Sequence, residues 1–506
     1  MKRCSLILLA VLLVLPLLAA SCAEQKGGEA VYTLNDAGTG YHVSGFTGKP
    51  TELVIPETYQ GLPVVSVGVG AFRYCWSLES ITLPDSLRIV NSYAFWDCNR
   101  LKRIEFGSSL RGIGKSAFQL CVSLEEAILP DTVEILSSLA FYGCTELKNV
   151  RLPGAIGEIE ENTFRACPKL AEVTILPGIT AVGESAFSDC TALERVALPE
   201  GLTSIGKSAF KGCTALASVT LPQSLESVGN AAFEDCKSLS ETVYSGDLAG
   251  WCGVSFENET ATPTTYSHCL TVGGERISDS LVIPDDVTGI GAYAFCGFRD
   301  MVSLTLGSGV QEIGDDAFRA CYRLVEVRNR SALEIETGGE ANGCVGLYAL
   351  VILPAEGGES RLEVDGNGYV LYRNGSDLKV VMYRGNETVL NIPDGVTEVC
   401  HYAFINLSDV TAFHLPATLK SIGDYAFFRC SSLVSLTIPQ NVNKIGGYVF
   451  YDCTALEEIV FEAPEGWRVT TAADRYSGGS TISVLRPQVN VRYFKSAYPR
   501  YFWYRK

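Results

Sequence analysis

The chain has 506 residues, of which 47% are hydrophobic and 19% are charged, so it contains enough apolar material for a large buried core. Its formal net charge of −17 argues against DNA or RNA as a partner, because binding a polyanion requires a dense basic patch that this sequence lacks. The four histidines leave little scope for imidazole chemistry. Composition also excludes a collagen-like chain, a disordered chain and a polytopic membrane protein.

The N-terminus has the features of an export signal. Two basic residues precede the apolar run 6–20, which is shorter than the ~20 residues of a bilayer span. Cys22 follows small residues and resembles the cysteine of a bacterial lipobox, although Ala19 stands where Leu is usual. This resemblance implies that residues 1–21 are removed and that the Cys22 thiol is diacylated. We therefore expect an envelope protein held at the membrane by its lipid anchor only; an ordinary cleavable signal and secretion are the alternative.

A repeat of 23 residues decides the architecture. Phenylalanine recurs eight times at this interval without a slip, and a cysteine follows each one three residues later. The phenylalanine column comprises Phe72, Phe95, Phe118, Phe141, Phe164, Phe187, Phe210 and Phe233. The cysteine column comprises Cys75, Cys98, Cys121, Cys144, Cys167, Cys190, Cys213 and Cys236. The phase resumes at Phe295, Phe318, Phe404, Phe427 and Phe450, and Ala341 with Cys344 also keeps the step.

Each unit predicts one short strand. In the unit that begins at Leu193, residues 195–198 alternate inward and outward positions and are followed by Pro199, which ends a strand. Gly206 recurs at the same place in other units, where we expect a tight turn. Because 23 residues cannot bury an apolar face alone, we expect the units to stack as coils, with one strand per coil in a shared parallel sheet.

The repeat also resembles a known family. The pattern Leu-x2-Val-x-Leu-Pro-x2-Leu-x2-Ile-Gly-x2-Ala-Phe-x2-Cys looks like the BspA-type (Treponema pallidum type) leucine-rich repeat and covers roughly residues 65–462, apart from two interruptions. The resemblance implies a β-rich, right-handed leucine-rich-repeat solenoid with a parallel sheet on its concave face. Proteins of this family are mostly bacterial surface or secreted proteins associated with adhesion and protein binding.

We expect the phenylalanine rings to stack inside the solenoid, and we weigh three interpretations of the cysteine column. Strands ~4.8 Å apart with parallel Cβ vectors suit disulfides poorly. No Cys-x2-Cys pair favours a metal site, and we expect no metal ion and no cofactor. A buried thiol that packs as a small apolar side chain is the interpretation we favour. Cross-links remain open for the cysteines outside the column, which are Cys252, Cys269, Cys296 and Cys400.

Two interruptions and the two ends complete the organisation. Each interruption, or island, contains a predicted hairpin, one around Gly273-Gly274 and one around Asn374-Gly375. The ends of a solenoid expose apolar edges, so we expect caps there. The resulting division is signal peptide 1–21, tether 22–30, N-terminal cap 31–64, repeat block 65–240, island 241–280, repeat block 281–354, island 355–390, repeat block 391–462 and C-terminal cap 463–506.

The outward residues of the predicted strands form the candidate binding surface. In the first block they are mixed in charge, rich in hydroxyl groups and nearly free of aromatic side chains, which suits a broad polar protein contact. A solvated face without a ligand would look similar. The charged residues of this surface are Arg103, Glu105, Glu126, Arg151, Glu172 and Arg195.

Two other classes of function compete with protein binding. Exposed tryptophans at the islands and the C-terminus would favour binding of cell-wall or other glycans. A hydrolase would need a site that breaks the repeat, and His268, beside Ser267 and Cys269 in the first island, is the one histidine with suitable neighbours. We favour a non-catalytic surface protein that binds a protein of a host or a neighbouring cell. The sequence specifies neither that partner nor the oligomeric state.

Overall fold

The computed structural model describes residues 27–277, 279–471 and 476–505. The signal peptide and the proposed lipid-attachment residue Cys22 therefore lie outside the described residues. Contacts divide the chain into two units, Met1–Arg276 and Ile277–Lys506.

A representative coil shows how the 23 residues are used. Strand Arg195–Ala197 exposes its first and last side chains and buries Val196 between them. The chain then turns at Pro199 and forms a second, two-residue strand, Ser204–Ile205. From there a series of turns carries the column residue Phe210 inward and leads to the next coil.

In the first unit, the longer strands of successive coils lie side by side and mostly in parallel, in register across 23 residues. We call their outward side the strand face. The strands form three consecutive groups: Glu52–Val54, Ser80–Thr82 and Arg103–Glu105; Glu126–Ile128, Asn149–Leu152 and Glu172–Ile175; and Arg195–Ala197, Ser218–Leu221, Glu241–Tyr244, Leu270–Val272 and Glu275–Ile277.

A second set of strands, which was not predicted from the sequence, alternates with the longer strands along the chain and forms separate sheets. Most of these strands have only two residues, and apart from the antiparallel pairs at the start of the chain they also pair in parallel. Two residues are too few to show alternation in a sequence. The set comprises Ala30–Leu34, Tyr41–Phe46, Thr58–Tyr59, Leu62–Val67, Ile89–Val90, Gly112–Ile113, Ile135–Leu136, Glu158–Ile159, Ala181–Val182, Ser204–Ile205, Ser227–Val228 and Ser255–Phe256. Among the described residues of this unit, the helices are Leu248–Gly253, Thr264–Ser267 and the 3-10 turn Gly154–Ile156.

The second unit has the same construction. Its longer strands are Ser280–Val282, Ser303–Leu306, Glu326–Asn329 and Val351–Leu353 in one sheet, and Val389–Asn391, Ala412–His414, Ser435–Ile438 and Glu458–Phe461 in another. Gly289–Ile290 pairs with Glu312–Ile313. A nine-stranded sheet has the order Leu362–Val364, Tyr369–Asn374, Asp377–Tyr383, Val396–Val399, Ser421–Ile422, Lys444–Ile445, Phe502–Arg505, Trp467–Thr470 and Ser480–Thr481. An α-helix at Pro487–Arg492 continues into a π-helical turn at Tyr493–Ala497.

The phenylalanine column forms a continuous stack in the core of the first unit. All eight rings are fully buried. Neighbouring ring centroids lie 5.1–5.5 Å apart and the ring planes are nearly parallel. Shorter stacks of the same kind join Phe295 to Phe318 and Phe404 to Phe427 and Phe450.

The cysteine column also lies inside, and all sixteen described cysteines are free and buried. From Cys98 to Cys236, each column thiol donates a hydrogen bond to the carbonyl oxygen of the phenylalanine 26 residues earlier, at 3.0–3.3 Å. Cys321, Cys430 and Cys453 do the same in the second unit. The thiol is therefore more than an apolar filler, because it ties each coil to the one before.

The recurrent glycine has a different role from the one the sequence predicted. Gly206 does not adopt a positive φ. Instead, a Cβ atom there would lie 2.7 Å from the backbone of Gly183 in the preceding coil, so the glycine permits close stacking. The left-handed conformation is taken by residues two before and two after each column phenylalanine, and many of these are not glycine, for example Leu139 (φ 61°) and Ala166 (φ 58°).

The 23-residue phase slips by three residues before the second island. Ala341, expected in the phenylalanine position, is exposed. The amide of Phe318 donates to the carbonyl of Gly343, whereas the amide of Phe295 donates to Ala317 in the regular pattern. Cys344 therefore occupies the phenylalanine position of this coil, and its thiol donates to Asp316.

Residues 241–272 of the first island form an enlarged coil. Glu241–Tyr244 pairs in parallel with Ser218–Leu221, and Ser255–Phe256 pairs with Ser227–Val228, so both strand sets continue. Trp251, which is fully buried, contacts Tyr244 and Phe256 in place of the phenylalanine stack.

The second island is an antiparallel hairpin, Tyr369–Asn374 with Asp377–Tyr383, which pairs in parallel with Val396–Val399. Both of its faces are buried. One face joins the core of the third repeat block, and the other packs against residues of the second block. The hairpin therefore offers little exposed surface of its own and packs between the second and third repeat blocks.

Arg323 joins the coils on either side of this hairpin. Its guanidinium is buried and donates to the carbonyl oxygens of Tyr402, at 2.7 and 3.1 Å, and Ala403, at 3.4 Å, as well as to Asp300 at 2.8 Å. In regular coils, the carbonyl before a column phenylalanine accepts the amide of the preceding column phenylalanine. Ala403 precedes Phe404, so in a regular coil its carbonyl would accept the amide of a preceding column phenylalanine. The hairpin interrupts that pattern, and Arg323 donates to this carbonyl instead. Burial lowers the pKa of Arg323.

The ends of the described chain close the repeats. At the start, hairpin Ala30–Leu34 and Tyr41–Phe46 pairs onto Leu62–Val67. At the other end, strand Phe502–Arg505 pairs antiparallel with Lys444–Ile445 of the last coil. Its aromatic side chains, together with Phe494, are buried, so they cover the coil rather than form an exposed platform.

Candidate functional site

The strand face of the first unit presents the six charged residues singled out from the sequence. Each belongs to one of its longer strands, and the apolar residue between the outward positions is buried. Five of the six are exposed, and Arg151 is half-buried. The strands that carry them are parallel and separated by single repeats, so the spacing of these groups is fixed by the backbone.

Two of the three arginines are already paired within the protein. Arg103 Nη2 lies 2.5 Å from Glu105 Oε1 in the same strand, and Arg151 Nη1 lies 2.6 Å from Asp131 Oδ1. The hydrogen bond from Arg151 lowers the pKa of Asp131. Exposed pairs of this kind contribute little to stability, but they occupy the donors that a partner would use.

The remaining charged groups are free for a partner. Glu126, Glu172 and Arg195 form no ion pair with any described residue. Since a guanidinium recognises carboxylates through paired donors, Arg195 is the one of these three arginines that is available for an incoming acidic group.

Arg195 borders an open depression of about 680 Å³ in the strand face. The second outward position of each of four neighbouring strands here carries a short side chain, whereas the three preceding strands carry Glu, Ile and Arg at that position. Its outward lining comprises Asn149, Ala171, Glu172, Thr174, Glu194, Arg195, Ala197, Ser218, Thr220, Glu241 and Val243. We call it the strand groove.

Two residues at one edge of the strand groove were not predicted from the sequence. Glu241 and Val243 were assigned to the first island, yet their strand continues the sheet one repeat after Ser218 and Thr220. The 23-residue step from 218 to 241 was the signal that could have revealed them. Ser218 Oγ donates to Glu241 Oε2 at 2.7 Å, so this edge is held by a bond between neighbouring coils.

The residues considered for catalysis have structural roles. The Ser267 hydroxyl bonds to Thr242 at 2.7 Å and to the carbonyl of Cys269 at 2.9 Å, and it is buried. The Cys269 thiol donates to the carbonyl of Ser240 at 3.2 Å. The Ser267 hydroxyl and the Cys269 thiol, the two candidate nucleophiles beside His268, are thus both hydrogen-bonded within the fold. Across residues 27–277, 279–471 and 476–505, no group of three or more His, Cys, Asp or Glu side chains is arranged to hold a metal ion.

The tryptophans of the first island and the C-terminus, on which the glycan-binding hypothesis rested, are buried. Trp251 of the first island and Trp467 and Trp503 near the C-terminus are at most 1% exposed. The expectation that they are exposed is therefore wrong, and its physical reason is that each fills a gap at an irregular coil or a cap. The tryptophan that does face solvent is Trp76, at 56%.

A second, smaller depression of about 450 Å³ lies in the second unit. Its lining is largely aromatic and comprises Asp424, Tyr425, Gly447, Tyr448, Thr471, Arg500, Tyr501 and Phe502. Tyr425 and Tyr448 belong to a stack of tyrosines that also contains Tyr322 and Tyr402.

Comparison with known proteins agrees with the fold. Residues 65–194, 157–269, 275–341 and 381–474 match the BspA type leucine rich repeat region in six copies, which together span more than half of the chain. The chain belongs to this family. The β-solenoid inferred from the 23-residue period, and the leucine-rich-repeat architecture implied by the resemblance, are confirmed. No curated protein matches the chain.

Several solved structures of bacterial leucine-rich repeat proteins are similar to this chain. One from T. pallidum is 32% identical over 34% of this chain and 89% of that one, with a TM-score of 0.29. A leucine rich cell surface protein of Faecalibacterium prausnitzii is 24% identical over 85% and 92%, with a TM-score of 0.37. One from Bacteroides ovatus is 23% identical over 59% and 93%, with a TM-score of 0.33. In the described part of the chain, no helix is both long and apolar enough to cross a bilayer.

Proposed function

We propose that this chain is a non-catalytic binding protein of the cell envelope whose strand groove holds a protein of a host or a neighbouring cell. The family supports protein binding or adhesion in general terms. The observation that carries the choice of site is Arg195, which has no ion-pair partner among the described residues and stands at the edge of a depression on a rigid sheet.

The chemistry of the strand groove favours a protein as its occupant. Its lining contains three carboxylates, one guanidinium, three hydroxyl groups and one amide group, together with short apolar side chains. Protein interfaces use such mixed polar surfaces, and arginine is enriched at their energetic centres. The chain's net charge of −17 disfavours nucleic acid in the same place.

A charge reversal tests this assignment. Arg195→Glu places a fourth carboxylate in the strand groove, and we expect it to lower retention of the chain on intact target cells or host extracellular matrix by at least about tenfold. Arg103→Glu is the matched control: it is the same change on the same face, at a guanidinium that already pairs with Glu105. Its retention should stay within about twofold of the original chain. Equal losses in both variants, or no loss in either, would contradict a site at the strand groove.

We also propose that the chain is attached to the membrane through lipid at Cys22. The small residues before this cysteine and the apolar run 6–20 support the proposal. Growth with labelled palmitate should mark the original chain, and Cys22→Ala should remove the label and release the chain from the membrane fraction. The internal cysteines are buried, so Cys75→Ala should leave the label in place.

A further inference from the structure

A cluster of aromatic side chains lies on the turns of the first two coils, outside the longer strands. Trp76 is 56% exposed, Tyr74 44% and Tyr93 37%, and Trp96 lies half-buried beneath them. Large exposed aromatic rings grouped in one place are uncommon on soluble proteins and mark sites of interaction. We call these four residues the aromatic patch.

The side chains of the aromatic patch hold one another in place. Tyr74 lies 5.2 Å from Trp96 and 6.0 Å from Trp76, measured between ring centroids. The Arg73 guanidinium covers the Trp96 ring at 3.9 Å and donates to the Tyr74 hydroxyl at 3.2 Å. The Trp76 indole nitrogen donates to Asp97 at 3.0 Å. A ring that is fixed before binding loses little conformational freedom when a ligand stacks on it.

Two properties of the aromatic patch limit what it can bind. It ends after two coils, since the third coil has Ser116, Gln119 and Leu120 at the corresponding positions. Its four residues are far fewer than the roughly 20–30 residues that each partner contributes to a stable protein interface. Its charges are one guanidinium and one carboxylate, which balance, so it attracts neither a polyanion nor a polycation.

We propose that the aromatic patch binds a neutral oligosaccharide of pyranose rings. The apolar C–H face of a pyranose carries partial positive charge and stacks on the electron-rich face of an indole or phenol ring. The remaining lone pairs of Asp97 and the remaining N–H groups of Arg73 lie beside the rings, where they can bond to sugar hydroxyls. This site is separate from the strand groove, and its occupancy does not depend on a protein partner.

Tryptophan fluorescence of the full chain tests the proposal directly. Of the five tryptophans, the three outside the aromatic patch are buried, so a change in emission on adding sugar reports Trp76 and Trp96. We expect cellotetraose or chitotetraose to produce a saturable change. Trp76→Ala should weaken the binding by at least about tenfold, and Trp76→Phe should retain most of it because the stacking face survives.

The matched control is Tyr142→Ala, because Tyr142 occupies in its own coil the position that Trp96 occupies in the second coil. It should leave the affinity within about twofold, as should Arg195→Glu in the strand groove. Circular dichroism checks that Trp76→Ala folds, which its exposure favours. The proposal is overturned if neither tetrasaccharide gives saturation up to about 10 mM, or if Trp76→Ala binds as tightly as the original chain. Loss of protein retention in Trp76→Ala without any sugar binding would also overturn it and assign the aromatic patch to the protein interface.

Discussion

At the scale of single residues, the solenoid depends on side chains that serve the neighbouring coil as well as their own. Phe164 stacks between Phe141 and Phe187 at 5.5 Å on each side. Its carbonyl oxygen accepts the thiol of Cys190 from the following coil. Each repeated position is thus constrained twice, once by its own coil and once by the next.

Removing one ring from the stack should therefore be costly. We expect Phe164→Ala to lower the free energy of unfolding by about 3–5 kcal/mol, because a fully buried ring is replaced by a cavity between two others. Urea denaturation measures the change. Thr174→Ala, at an exposed strand position, should cost less than about 0.5 kcal/mol. A loss below about 1 kcal/mol for Phe164→Ala would contradict the role of the stack.

A glycine should stabilise the chain where the backbone is left-handed. Ala166 has a φ of 58°, a conformation that costs an L residue roughly 1 kcal/mol. We expect Ala166→Gly to raise the melting temperature, with a gain of about 0.5 kcal/mol after the added freedom of the unfolded chain is counted. Ala186→Gly, the same change at a buried position without a positive φ, should lower it. The same sign for both variants would show that strain at Ala166 is not relieved.

At the scale of secondary-structure elements, the second island shows how a solenoid tolerates an interruption. The hairpin of residues 369–383 buries both faces, and Arg323 donates to the carbonyl that the displaced coil leaves without its usual amide partner. The hairpin therefore covers the apolar surfaces that the interruption would expose. One arginine donates the hydrogen bond that the backbone carbonyl would otherwise lack.

That repair can be measured. Arg323→Met keeps most of the buried apolar stem but leaves the carbonyl of Ala403 without its donor, and we expect a loss of about 2–3 kcal/mol in unfolding free energy. Arg323→Lys should recover only part of it, because an ammonium cannot reproduce the planar fork that reaches Tyr402 and Asp300 together. Arg319→Met, at an exposed arginine of the same coil, is the control. A cost for Arg323→Met no larger than that of the control would contradict the repair.

At the scale of the whole molecule, the thiol column makes stability sensitive to alkali. Burial raises the pKa of Cys167, Cys236 and Cys453 to about 12, against an ordinary value of 9.0. In the unfolded chain these thiols ionise near their ordinary pKa, while in the folded chain they stay protonated. Folding is therefore fully favoured by this term below about pH 9, and the advantage is lost as the pH rises toward 12.

We expect the free energy of unfolding to fall between about pH 9 and pH 11, by about 1.4 kcal/mol per pH unit for each thiol whose pKa burial raises to this extent. Urea denaturation at a series of pH values measures the slope. Cys213→Ala should reduce the slope of unfolding free energy against pH by the contribution of one thiol, whereas Thr191→Ala should not change the slope. A flat profile up to pH 11 would mean that the column thiols are not shielded in the folded chain.

Much of the architecture could be predicted because the same pattern of apolar residues recurs in many consecutive repeats. Thirteen column phenylalanines keep the 23-residue step within their own repeat blocks, and their burial follows from the need to stack. The two-residue strands could not be predicted, since they leave no alternation. Nor could the left-handed positions, which accept residues as different as Leu139 and Ser208.

The candidate site was predictable only in outline. The outward strand positions followed from the alternation, but Arg103 and Arg195 look alike in sequence and differ in the structure by their partners. The strand groove arises from short side chains on four neighbouring strands, including one that was assigned to the first island. Arg323 acts on carbonyls 79 and 80 residues away, which no local pattern reveals.

The thiol bond that always reaches back 26 residues has an evolutionary consequence. Since every coil satisfies its neighbours through the same few atoms, duplication of 69 consecutive nucleotides adds a coil whose bonds are already complete. The gene can lengthen or shorten by whole coils while the fold persists, and a binding surface can change its width without any new kind of packing. At the second island, whose length is not a multiple of 23, Arg323 supplies the donor that a regular coil would have provided.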